Sequence, residues 1–188
     1  HAFEMERFFS SAEYGYDEGI LVENVWSVNG KRSTDLLNQV SPDVIMVYGT
    51  GLVNSNIFEI AKLTSINFHG GWLPDYRGSD TNLWAALKGD YDKIAVACHK
   101  LDKTFDTGPV FMMERLLPVA DLSVPTIRYY TTLLVIDMAE KLLRSISNGT
   151  VEAVNQPAKG DFFRFMPWIL KPWANRGLRN YARNYVRR

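Results

Sequence analysis

The chain has 188 residues, of which 46% are hydrophobic, and its 21 basic side chains balance its 21 acidic ones. That length suits one domain with a substantial core and is short for two. No apolar run approaches the roughly 20 residues that cross a bilayer, and one cysteine, Cys98, excludes an internal disulfide framework. A single cysteine fits a reducing compartment, no signal-peptide pattern is present, and a cytoplasmic location is expected.

The opening stretch, residues 1–15, reads as helical. The chain starts on His1 rather than Met, so the first strand of the sheet is expected upstream of it. Residues 20–28 (ILVENVWSV) read as a strand, TDLLNQV as a short helix, and DVIMVYG as a strand closed by Gly49 and Gly51. The unbroken apolar run at 44–48 suggests burial on both faces, as in a parallel sheet. A helix capped by Asn54 or Ser55 follows, then the strand TSIN, then a helix capped by Ser79 or Asp80 and stopped at Gly89. KIAVACHKL alternates like a strand with two different faces, and GPVFMMERLLPV is a further strand. The longest helix is expected over 123–148, with Ser123 as cap and Ile127, Thr131, Leu134, Met138 and Leu142 turned to the sheet. This order predicts an α/β, Rossmann-like open sheet, mostly parallel, with helices on both faces.

The neutral total hides an asymmetry. Residues 162–188 carry Arg164, Lys171, Arg176, Arg179, Arg183, Arg187 and Arg188 and no acid. We therefore read 1–160 as the main domain and 161–188 as a basic, aromatic helical extension. The plain expectation is that its aromatics pack on the core and its arginines are solvated. The other is weak contact with a membrane or another anionic surface.

Ligands of open α/β sheets bind outside the carboxyl ends of strands. There, in SINFHGGWLPDYRG, Asn67 and His69 sit two apart and share a face. An amide can donate to a developing oxyanion, and an imidazole carries protons near neutrality. Gly70 and Gly71 allow close approach, and Arg77 suits clamping an anion or tying the loop to a carboxylate. Alone, an Asn-x-His triplet is common, and a lone His is more often structural. His99, opposite to Cys98 in its strand, reads as structural or pocket-lining. Three scattered His and one Cys have no metal-ligand spacing, so no metal is expected.

The combination is more specific. Asn67-x-His69, Leu73-Pro74-x-Tyr76-Arg77-Gly78, Trp84-Ala85 and Asp106-Thr107-Gly108-Pro109, in that order, resemble the folate-dependent formyltransferase superfamily over roughly 41–149. The superfamily includes methionyl-tRNA, glycinamide ribonucleotide and amino-sugar enzymes. The resemblance implies a catalytic domain of the formyltransferase type over 1–160, 10-formyltetrahydrofolate as donor and a small-molecule amine as acceptor. It also implies a catalytic set of Asn67, His69 and Asp106. His69 and Asp106 would remove the amine proton, and Asn67 with protonated His69 would stabilise the oxyanion. The donor would lie along Gly49, Gly51, Leu52 and Val53 and along Leu101, Asp102, Thr104 and Phe105, while Gly70, Gly71, Trp72 and Arg77 would meet the acceptor. The chain departs from the family pattern at Gly70-Gly71, where Pro-Ser or a similar pair is usual, and at Trp72, where Leu is usual. An amino sugar or its nucleotide is the first choice of acceptor. Glycinamide ribonucleotide or methionyl-tRNA, hydrolysis of the donor, and a non-catalytic binding module are the alternatives, and a homodimer stays open.

Overall fold

The computed structural model describes residues 19–157 and 160–186. The expected N-terminal helix, Arg187 and Arg188 lie outside them. Residues 20–28 do not form the expected strand. Among the described residues no strand edge pairs with them, and Ile20, Leu21 and Trp26 are exposed. A β-rich composition cannot make a strand where no ladder partner satisfies the backbone.

The first helix of the described residues, α1, spans Lys31–Val40, and Ser41 ends it in the left-handed conformation. Strand β1, Val44–Tyr48, then leads to the one-turn helix α2, Ser55–Phe58. Strand β2, Thr64–His69, runs two residues further than the TSIN pattern suggests. Short strand β3, Tyr76–Gly78, precedes helix α3, Thr81–Lys88, with Gly89 left-handed at its end. Strands β4, Ala95–Lys100, and β5, Val110–Arg115, lead to the long helix α4, Ile127–Ser147. Strand β6, Asp161–Phe163, and helix α5, Lys171–Val186, complete the described chain.

The four-stranded sheet has the order β1-β2-β4-β5, and β3 pairs with β6 in a second, two-stranded sheet. The fold is α/β as expected, with a finer result in strand direction. Strands β1 and β2 are parallel, whereas β4 runs antiparallel to both β2 and β5. The connection from β4 to β5, residues 101–109, is a loop with no helix, as a return between antiparallel neighbours allows.

Strand alternation divides the core in two. Ile66 and Phe68 of β2, with Val96 and Cys98 of β4, face Val135, Met138 and Leu142 of α4. Burying each of the larger of these side chains contributes about 1.5–3 kcal/mol. Opposite them, Leu83, Ala85 and Ala86 of α3 pack with Ile94, Leu116, Met166, Ala174 and Leu178. Strand β4 has the two faces its alternation suggested, and both are buried. Residues 161–186, expected as an extension, share this core: α5 lies on α3, and β6 runs parallel to β3. Asn82 ties α3 to β4, donating to the Ala95 carbonyl at 3.0 Å and accepting from the Ala95 N–H at 2.9 Å.

Candidate active site

Because Ile66 and Phe68 point to α4, Asn67 and His69 must point to the other face of β2. The antiparallel register sets His99 of β4 directly opposite Asn67. Asp106 arrives from the loop after β4, where the Asp-Thr-Gly-Pro motif has a local explanation. The Pro109 carbonyl accepts a hydrogen bond from Lys100 N at 2.8 Å, drawing the chain back against β4. A Cβ on Gly108 would lie 2.0 Å from the Lys100 carbonyl oxygen, so only glycine fits that return. Asp106 takes a left-handed backbone, φ 54°, which Asp tolerates better than most residues. Gln156 holds the turn by donating to the carbonyls of Asp106 and Gly108 at 3.0 and 2.8 Å.

The Asp106 carboxylate gathers the site. Its Oδ1 lies 3.3 Å from Asn67 Nδ2 and 3.4 Å from both His69 Nδ1 and His99 Nε2. Its Oδ2 accepts from Gly78 N at 2.7 Å. Burial alone would raise the pKa of Asp106. His99 and His69, protonated in the acid range where a carboxyl titrates, together with the Gly78 N–H outweigh burial and hold it below the usual value, so the carboxylate is ionised near neutral pH.

The tautomers follow from acceptors that cannot donate. His69 Nε2 stands 2.7 Å from the Tyr76 carbonyl oxygen and therefore carries the proton. In the neutral ring the lone pair is then on Nδ1, facing Asp106. Desolvation of the buried ring lowers the pKa of His69, and the negative charge of Asp106 opposes the shift only in part. At neutral pH His69 is thus an unprotonated base whose conjugate acid has a carboxylate beside it. His99 Nδ1 donates to the Lys100 carbonyl at 2.7 Å, which leaves Nε2 to accept from Asn67 Nδ2 at 3.1 Å. Both amide hydrogens of Asn67 are consequently engaged. His99 belongs to this network, although its sequence position signalled only a structural or pocket-lining role.

Asn67, His69 and Asp106 line one cavity of about 410 Å³. Gly49, Gly51, Leu52 and Val53 form one side, and Leu101, Asp102, Thr104 and Phe105 another. The residues expected to meet the acceptor are placed differently. Gly70 lines the cavity, but Gly71, Trp72 and Arg77 do not. Gly71 packs beneath the loop, where a Cβ would come within 2.8 Å of His69 Nε2. Trp72 lies between Lys93 Nζ, 5.3 Å from its ring, and the Arg115 guanidinium at 5.0 Å. Arg77 donates to the Gly160 carbonyl at 2.6 Å, so it fastens the β3 region to the C-terminal segment. Phe162 and Phe165 line the cavity instead, brought there by the pairing of β3 with β6. No local pattern pointed to them. Lys and Arg are absent from this wall among the described residues, and no group of His, Cys, Asp and Glu there could hold a metal ion.

A family model described as formyl transferase matches residues 23–130. Methionyl-tRNA formyltransferase of Desulfotalea psychrophila is 28% identical over 141 residues, covering 74% of this chain and 43% of that protein. GDP-perosamine N-formyltransferase of Brucella melitensis is 32% identical over 76 residues, 40% of this chain and 29% of that protein. The chain thus spans less than half the length of these relatives. Among solved structures, the formyltransferase PseJ from Anoxybacillus kamchatkensis was crystallised with UDP-4,6-dideoxy-4-formamido-L-AltNAc and tetrahydrofolate. It matches with a TM-score of 0.60 at 24% identity, over 74% of this chain and 78% of that one. A 4-N formyltransferase from Francisella tularensis gives a TM-score of 0.61 at 13% identity, over 79% and 64%. At these identities the structural matches establish the fold.

Proposed function

The chain belongs to the formyltransferase family, and we propose that it transfers a formyl group from 10-formyltetrahydrofolate to a primary amine of an amino sugar or its nucleotide. The observation that carries the reading is the convergence of Asn67, His69 and Asp106, from one strand and one loop, on a single cavity. Its volume lies within the range of small-molecule sites.

The walls suit a flat donor. Ideal Cβ positions on Gly49 and Gly51 meet nothing within 4 Å, so a ring can approach the backbone of that loop closely. Leu52, Val53, Leu101 and Phe105 offer apolar surface, and Asp102 and Thr104 offer polar groups at its edge. Bound there, 10-formyltetrahydrofolate supplies an activated formyl carbon. His69 Nδ1 takes the proton of the attacking amine, directly or through water, while the Tyr76 carbonyl holds Nε2–H and so keeps the ring aligned. Asp106, 3.4 Å away, stabilises the imidazolium that results. Asn67 Nδ2 donates to the formyl oxygen as it gains charge, exchanging its longer contact, the 3.3 Å one to Asp106. Collapse of the tetrahedral adduct breaks the bond from the formyl carbon to N10 of the folate, the proton held by His69 passes to that nitrogen, and tetrahydrofolate leaves.

A sugar acceptor is favoured by the mouth of the cavity. Phe105 and Phe162 present rings 5.9 Å apart at 51°, Phe165 lines the same cavity, and among the described residues the wall holds no cation for a phosphate. A pyranose ring can lie on such faces with its amine toward His69 and any nucleotide phosphates outside. A second reading, methionyl-tRNA as acceptor, is favoured by the 141-residue match to that class of relative. Tetrahydrofolate formation from 10-formyltetrahydrofolate should require an added 4-amino sugar nucleotide. Dependence on methionyl-tRNA instead would replace the acceptor, and formate release without any amine would replace transfer by hydrolysis.

A further inference from the structure

We infer that the C-terminal helix and the turn before it form a docking face for an anionic lipid surface. Ala174, Leu178 and Ala182, spaced every fourth residue, bury one face of α5 against α3. The opposite face carries Trp173, Arg176, Asn180 and Arg183, all exposed, with exposed Arg179 beside Arg183. Just before the helix, Trp168 and Ile169 stand in solvent at 81% and 55% exposure, and Trp173 is 57% exposed. Large apolar side chains left in water beside a row of arginines form the pattern of a helix that lies in a membrane interface.

Charge selects the occupant. Residues 162–188 contain no acid, and Lys171, Arg176, Arg179 and Arg183 have no acidic partner among the described residues. A second copy of the chain is a poor occupant, because a two-fold contact would set this basic face against itself with no acid to neutralise it. RNA would satisfy the arginines and stack on the tryptophans, but Ile169 has no ring to offer a base, whereas hydrocarbon accepts all three apolar side chains. No helix among the described residues is long and apolar enough to cross a membrane, so the contact is peripheral. Phe165, 78% exposed, lines the catalytic cavity three residues before Trp168, although buried Met166 separates the two.

The test is co-sedimentation of the full chain with phosphatidylcholine vesicles, with and without phosphatidylglycerol, read together with tryptophan emission. Partition onto the anionic vesicles should be roughly 100- to 1,000-fold stronger, from three or four basic side chains near the surface at about 1 kcal/mol each, with a blue shift of emission and weakening by added salt. Arg176→Gln/Arg179→Gln/Arg183→Gln should abolish the preference for anionic lipid, and Trp168→Ala/Ile169→Ala/Trp173→Ala should weaken sedimentation with the anionic vesicles. These side chains are exposed, so circular dichroism should show both variants folded. Equal or absent partition on the two vesicles would overturn the inference. So would arginine-dependent binding of bulk tRNA without lipid binding, or a dimer by light scattering that the tryptophan variant dissolves.

Discussion

Of two adjacent glycines, one should be sensitive and the other indifferent to the same added methyl group. At Gly71 an alanine Cβ would lie 2.8 Å from His69 Nε2, 2.8 Å from Thr81 Oγ1 and 2.9 Å from the Tyr76 carbonyl oxygen. These atoms belong to the contacts that hold the base: His69 donates to Tyr76, and Thr81 donates to the Gly70 carbonyl. None is the free end of a flexible side chain, so relief must come from moving the loop or breaking the His69 hydrogen bond. Overpacking of this kind costs about 1–3 kcal/mol, a fall in Tm of about 3–10 °C for a chain of this size. At Gly70 the same Cβ meets only Asn82 Nδ2, at an ordinary 3.5 Å. Gly70→Ala should therefore stay within about 0.5 kcal/mol of the parent. Thermal unfolding followed by circular dichroism, with transfer rates on both variants, measures the contrast. Equal melting temperatures, or a larger loss at Gly70, would show that Gly71 is not the residue that seats His69.

His69→Ala and Asp106→Asn should each lower formyl transfer by at least about 100-fold, the usual scale of a general acid or base; parent-like turnover in either would remove the residue from the proposed chemistry. The pH profile of kcat/KM should hold its plateau to below pH 6.5 before falling, because burial lowers the His69 pKa from that value; an acid limb centred above it would contradict the buried neutral base. Stability should follow the same direction. The folded state favours neutral His69 and ionised Asp106, so both contributions are present at neutral pH. They are lost as pH falls below the unfolded pKa of each group toward its lower folded one, which acid titration of the unfolding free energy would show. Gln156→Leu should destabilise the chain by about 1–3 kcal/mol, since it removes the donor shared by the Asp106 and Gly108 carbonyls; chemical denaturation with an unchanged midpoint would argue against that brace.

What could be read from the sequence was what is local. The existence of β1, the stop of α3 at Gly89 and the face of α4 followed from spacing, and Asn67 and His69 shared a strand face by parity; the burial expected on both faces of 44–48 did not, since only Ile45 is buried there, and Asp80 starts α3 without a side-chain cap bond. Residues 20–28 differ for the same reason, because composition favours a strand there while the described residues supply no neighbouring edge. Non-local pairing escaped for a physical reason. Phe162 and Phe165 reach the cavity only because β6 runs beside β3, and His99 meets Asp106 only because register sets it opposite Asn67. Arg77 and Trp72 read as ligand contacts from their loop, but a distant carbonyl and two distant cations claim them.

Everything proposed for the chemistry rests on the cavity around Asn67, His69 and Asp106 receiving 10-formyltetrahydrofolate. Calorimetric titration of the purified chain with a non-hydrolysable 10-formyltetrahydrofolate analogue decides this without any knowledge of the acceptor. One site per chain with micromolar affinity is expected, weakened by Leu101→Asp in the cavity wall. A folded chain that takes up no analogue would rule this donor out.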